Sequence, residues 1–350
     1  MNVTDGWNVN TVNVTVDELM EWRKSAYAIT VPVFITICLM VMVSNLFVLL
    51  PLMWVRYSPT ATIRLTVSLA ISDVWTSSVV AFSLVYNSYL YAVYEFPVSA
   101  CVALSLEAVR TGGLLTGCLH LLALAVNHYL LIAYPFLYGR ILNRRNTIAV
   151  IVLLWILPPL AFFVYFSSIN DQGYRSPSGD CDQVLFYHQL EFRLAISLLI
   201  LLFIVIMSVF YVAVVVILAK SERRFAHSRA HADEKQLRRN RRTLVTTLII
   251  VGTFLVGWMP VSMIFVLTCE TCALPYSATS AHSLVFFTSV LANLCILLKS
   301  LVNPIVYAVR IPEIQNALRK FLRRNGTAND FRATTCANLS NRREEVTLLT

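Results

Sequence analysis

The groups in this chain that could do chemistry lie mostly inside apolar runs. The most informative stretch is Lys299-Ser300-Leu301-Val302-Asn303-Pro304-Ile305-Val306-Tyr307. A proline inside a membrane helix leaves backbone carbonyls without their usual donor, and an adjacent asparagine can bond to them. Asn303-Pro304 therefore reads as a polar, adjustable joint, more useful to a moving helix than to a static one. Glu107 and Arg110 are three residues apart and can pair on one helix face. Left unpaired, Arg110 would select an anionic group and Glu107 a cationic one. Cys269 and Cys272 form a local bridge or remain two thiols; zinc would need two further ligands, and none is near. With no nucleophile-and-base constellation and no metal cluster, the chain does not read as an enzyme, and no cofactor or metal is implied.

The elements that must position these groups are membrane helices. Of all residues 57% are apolar and only 13% charged, with a mean hydropathy of +0.68. A bilayer core needs about 20 apolar residues per helix. Seven stretches qualify, at 27–54, 63–86, 98–133, 147–167, 192–219, 243–268 and 283–309. The first 25 residues lack the basic stretch of a cleaved signal, so the first helix is expected to act as its own insertion signal. Lys and Arg gather after the first, third, fifth and seventh runs, including nine between Lys220 and Arg242, whereas Glu95, Asp171, Asp180, Asp182 and Glu270 mark the opposite side. That bias predicts an outer N-terminus and an inner C-terminus. Asn2 and Asn13 then fall on the glycosylated side, each in an Asn-x-Thr sequon. The net charge of +9 reports topology and contact with anionic membrane lipids rather than nucleic-acid binding. Cys38, Cys118 and Cys295 lie within runs as packing residues, and Cys336 lies far along the tail.

In order along the chain stand Asn45 in Ser-Asn-Leu-Phe-Val, Asp73 in Leu-Ala-Ile-Ser-Asp, Trp155 and Tyr211. Phe254, Gly257-Trp258-Met259-Pro260 and Asn303 to Tyr307 follow. With these markers the chain resembles the rhodopsin-like (class A) G-protein-coupled receptors over nearly its whole length. The resemblance implies an all-α membrane protein: a seven-transmembrane helix bundle over 26–310 and a short amphipathic helix over 311–324. A flexible extracellular segment over 1–25 and a cytoplasmic tail over 325–350 complete the expected organisation. It implies a disulfide between Cys101 and Cys181, pinning the second outer loop over the bundle. It also implies the mechanism: an extracellular ligand biases helix six to swing outward about Pro260, with Trp258 and Phe254 as the apolar switch. Tyr211 and Tyr307 then face an inner cavity that receives a heterotrimeric G protein, with arrestin as a further candidate partner.

Several positions depart from the family pattern. The acid-Arg-Tyr triplet reads Asn127-His128-Tyr129, and the acidic latch partner on helix six is replaced by Asn240. An always-charged fork of donors has become an imidazole. Either basal signalling rises because nothing holds the bundle shut, or coupling weakens. Pro135 and Phe136 remain for a G protein's pocket and favour coupling. Phe203 stands where many relatives have a bulge-forming proline. Counting back from His128 puts Arg110 at the ligand-facing position of helix three, whereas counting forward from Cys101 puts Ala108 there. The amine box is absent, since Val261 and Ser262 follow Pro260, so with Phe265 these are the expected ligand contacts on helix six. Acidic outer loops favour a basic peptide ligand, with a lipid or other small molecule open. Lys299 at membrane depth is costly unless paired. Asp73 is the nearest carboxylate the resemblance offers; the alternative is that Lys299 points to backbone carbonyls or water.

Overall fold

The structure is a computed structural model, and it describes residues 16–54, 59–227, 234–269, 271–272, 282–311, 314–321 and 323. Asn2, Asn13, Asp5, Glu270, Pro312, Cys336 and the tail after 323 lie outside the described residues, as do the side chains of 221–248, Asn240 among them. Among the described residues there are seven long helices: α1 (Val16–Trp54), α2 (Ala61–Leu84), α3 (Ala100–Ala133), α4 (Arg144–Ser168), α5 (Leu190–His227), α6 (Glu234–Leu267) and α7 (His282–Arg310). Six are long and apolar enough to cross a membrane, and Gly252–Leu267 is the apolar part described for α6. After Tyr307, residues 314–321 form α8, which buries Ile314 and Ala317 while Arg319 and Lys320 stay exposed.

Helix ends follow local chemistry. The Thr60 hydroxyl accepts from the Ile63 amide at the start of α2, and Asn143 caps α4 through the Asn146 amide at 2.9 Å. Two helices run longer than their apolar runs. α1 is already helical at the first described residue, Val16, ahead of its apolar run, and in this part Trp22 packs edge-on against Phe286 of α7 with ring centroids 5.3 Å apart. α2 continues through a π-helical turn, Val85–Leu90, into Tyr91–Tyr94 and stops where Glu95 turns left-handed at φ 54°.

The helices pack in a ring, with α3 in the middle touching α2, α4 and α5, while α6 meets α5 and α7, and α7 meets α1. Small residues set the closest approach. A Cβ on Gly112 would lie 2.6 Å from the Cα of Pro159, so α3 and α4 meet nearly backbone to backbone. Leu69, Leu121, Ala125, Met207, Tyr211 and Phe254 fill the interior. Val43, Phe47, Leu153, Ile156, Leu160 and Val205 point outward, which suits lipid and would be a liability in water. α5 stays α-helical through Phe203, which packs against the core, so the position lacking the proline forms no bulge.

Candidate ligand cavity and polar core

At the end of the bundle where α3 begins, a cavity of about 260 Å³ opens between α3, α5, α6 and α7. Arg110, Thr111, Leu114, Leu199, Ile200, Val261, Phe265 and Ile296 are among its wall residues, and Trp258 lies at its base with the buried Phe254 ring 6.4 Å away. The Trp258 indole N–H is buried and has no hydrogen-bond partner among the described residues. Arg110 lines the cavity, whereas Ala108 is fully buried among Leu104, Phe162 and Phe166. The count back from His128 therefore gives the right register for the outer half of α3.

Glu107 and Ser262 do not line this cavity. Glu107 turns toward the loop between α4 and α5, where its carboxylate accepts from Arg110, at 2.9 Å from Nε, and from Thr111 and Tyr187. The pairing suggested by the three-residue spacing thus forms, and it engages both charges. Ser262 faces α5: its carbonyl accepts from the Ser197 hydroxyl at 3.0 Å, and its own hydroxyl donates to the Met259 carbonyl.

The loop between α4 and α5 covers the cavity. Cys181, at φ 55°, is bonded to Cys101 at the start of α3, with Cα atoms 4.9 Å apart. Tyr174 meets Ser105 at 2.9 Å, and Phe186 is buried against Phe166 and Phe192. Burial, and then the Glu107 carboxylate, push the Tyr187 phenol above its ordinary range, so it stays a donor. Arg193 is 3% exposed; it donates to the Tyr187 carbonyl and the Thr268 hydroxyl and stacks 4.6 Å over Phe265. Cys269 and Cys272 are bonded to each other. Tyr187, His188 and Arg193 were not among the expected contacts. An arginine at the head of an apolar run was the available signal for Arg193; nothing local marks the other two.

Below Trp258 lies a polar core. Asp73 accepts from Ser300 at 3.1 Å and from Asn303 at 2.8 Å, and Asn45 reaches the Ser300 carbonyl. Lys299 is buried in the same core but makes no ion pair with Asp73 within 4.0 Å, so the expected direct contact does not form. Ser300 and Asn303, on the face of α7 nearer the carboxylate, take its lone pairs instead. A second network went unforeseen. Trp155 donates to Ser68 at 3.0 Å, Ser68 meets His120 Nε2 at 2.8 Å, and His120 Nδ1 lies 2.9 Å from the Thr116 carbonyl. A histidine within an apolar run was its signal.

At the far end, His128 is 7% exposed and shares a small cavity of about 20 Å³ with Tyr211, Thr253, Asn303 and Tyr307. Asn127 donates to Thr62 at 2.9 Å and accepts from Tyr138 at 3.0 Å. Tyr129 packs against Phe210, Pro135 begins a short helix (Pro135–Ile141), and Phe136 is 99% exposed.

A bundle of membrane-length helices with a covered cavity ending on a tryptophan, above a polar core and a proline-bearing helix, defines a multi-pass membrane receptor. The chain matches the 7 transmembrane receptor (rhodopsin family) over residues 44–307 and belongs to that family, whose members are receptors and not enzymes. Melanocortin receptor 3 of Homo sapiens and of Rattus norvegicus are each 25% identical over 210 residues, covering 58% of this chain and 56% of the relative. The aligned region thus spans about half the length of these relatives.

Proposed function

We propose that this protein is a plasma-membrane receptor that admits an extracellular ligand to the cavity above Trp258 and activates a heterotrimeric G protein by outward movement of the far end of α6. One observation carries this reading. Trp258 at the base of the cavity contacts Phe254 and sits two residues before Pro260 in the same helix. Pressure on the base therefore acts where the backbone hydrogen bonding of α6 is interrupted. The disulfide-bonded end faces outward, since oxidised cysteines belong there and Arg140, Arg144, Arg145, Lys220, Arg319 and Lys320 lie at the other end. There Phe136, with Pro135, His128 and Tyr129 at its base, forms the docking face for the G protein, and arrestin would compete for the same face.

The ligand that fits best is a small, predominantly apolar molecule. Leu, Ile, Val and Phe make up half of the wall residues, and Glu107 is turned away to its own donors, leaving no carboxylate on the wall for an ammonium among the described residues. A basic peptide is the second reading. Glu95, with a side chain 75% exposed, and Asp180 and Asp182 at the same end supply the complementary charge.

The test is thermal stabilisation of purified receptor against panels of apolar small molecules and basic peptides, followed by nucleotide exchange on reconstituted G proteins. A small-molecule hit should raise Tm in the wild type but not in Val261→Phe, which narrows the cavity. A hit confined to the peptides and unaffected by that change would move the ligand to the acidic rim. Hits that stabilise but never promote exchange with any G-protein class would overturn the coupling half of the proposal.

A further inference from the structure

Asp73 is 5% exposed, and the two groups that bond to it, the Ser300 hydroxyl and the Asn303 amide, are neutral. Neutral donors stabilise a carboxylate without cancelling its charge, so a buried carboxylate at this depth calls for a cation. α1 and α2 itself carry buried oxygen atoms that could serve such a cation. The side-chain oxygens of Asn45, Ser72 and Thr76 are buried and lack hydrogen-bond partners among the described residues. Gly117 on α3 leaves open space, since a Cβ there would meet nothing within 4 Å.

The chain carries its own cation beside this core. Lys299, also 5% exposed, directly precedes on α7 the Ser300 whose hydroxyl donates to Asp73. The side chain reaches there because Gly257 of α6 lacks a Cβ: one built at that position would lie 2.9 Å from Lys299 Cβ and 3.1 Å from Cγ. Any other residue at 257 would push the lysine stem out of its groove. Lys299 and the Asp73 carboxylate are thus both buried in this part of the bundle, with no ion pair between them within 4.0 Å.

We propose that Lys299 is a tethered counter-ion, holding in the polar core the charge that a free monovalent cation would otherwise bring to Asp73. Because its stem runs over Gly257, next to Trp258, the charge balance of the core is tied mechanically to α6. The wild-type protein is therefore indifferent to sodium, and removing the lysine charge opens the core to it.

The experiment is the Tm of purified full-length receptor in sodium chloride against choline chloride at equal ionic strength. It uses the wild type, Lys299→Met, Asp73→Asn and the double variant. The wild type should melt at the same temperature in both salts. Lys299→Met should melt lower in choline and recover in sodium, a gain of response that simple damage to packing cannot produce. Asp73→Asn should lose stability equally in both salts, and the double variant should regain much of that loss. Sodium stabilisation of the wild type, or a folded Lys299→Met indifferent to sodium, overturns the proposal. If Lys299→Met does not fold in either salt, the double variant decides: recovery relative to Asp73→Asn supports the pairing, and a further loss overturns it.

Discussion

The Tyr187 hydroxyl donates to the Glu107 carboxylate across 80 residues of sequence, fastening the loop over the cavity to α3 at a point separate from the disulfide. Glu107 is thereby a junction: it receives its neighbours Arg110 and Thr111 from one side and the loop from the other. Tyr187→Phe removes only the loop's share. A hydrogen bond to a charged acceptor contributes about 1.5–3 kcal/mol, so chemical unfolding should show a loss in that range. Dissociation of any bound ligand should be faster, because the cover opens more often. An unchanged stability in the phenylalanine variant would mean that the bond contributes nothing net.

The same phenol sets a pH dependence. Burial and the Glu107 carboxylate raise its folded-state value, so the folded protein keeps a proton that the unfolded chain releases above about pH 10. Its contribution is complete below that point and drawn down above it. The stability difference between wild type and Tyr187→Phe should therefore be constant through neutral pH and shrink from about pH 10 upward, which thermal melts across a pH series will show.

The two disulfides should differ in weight. Cys101–Cys181 closes 80 residues and Cys269–Cys272 only three. The chain-entropy relation gives about 4.5 kcal/mol for the longer loop and about 1.6 kcal/mol for the shorter. Replacing each pair by serine and measuring Tm should reproduce that order, and the reverse order would point to enthalpic effects in the shorter loop.

The contact between α3 and α4 predicts a sharp contrast between two glycines. Gly112→Ala brings a Cβ to 2.6 Å from the Pro159 backbone, which cannot retreat without moving α4, whereas Gly139→Ala meets nothing within 4 Å. The first should cost about 1–3 kcal/mol by overpacking. The second should be neutral or stabilise by about 0.4–1 kcal/mol through the unfolded state. Paired melting curves suffice to tell them apart.

For His128 the expectation concerns signalling. The residue is buried beside Tyr211, ring centroids 6.5 Å apart, at the face proposed to receive the G protein. Basal nucleotide exchange should be measurable in the wild type. Ligand-driven exchange should rise in His128→Arg, where the guanidinium adds fixed charge and donors. Silence in both forms, with every G-protein class tried, would count against coupling.

The fold is readable from the chain because lipid forces each crossing segment to satisfy its own backbone, so long apolar runs have one available structure. The ends of those runs are less readable, since Trp22 and Tyr91–Tyr94 extend helices by aromatic packing and not by hydropathy. In the cavity, the Glu107–Arg110 pair follows from a local spacing. Tyr187 does not, because its partner is distant in sequence. Asp73 and Lys299 show where such reasoning stops: both belong to one core, but which donor reaches the carboxylate depends on helix rotation and rotamer. That choice went to Ser300 and Asn303.

Asn127 ties the base of α3 to Thr62 ahead on α2 and to Tyr138 in the short helix beyond Pro135, using an amide and two hydroxyls. Where a clasp is made of opposite charges, dissolved ions loosen it, since mobile counter-ions compete for each partner. A clasp of uncharged dipoles has no such competitor. At this junction the grip on the loop should slacken with heat and hold steady as the electrolyte concentration of the surrounding fluid rises or falls.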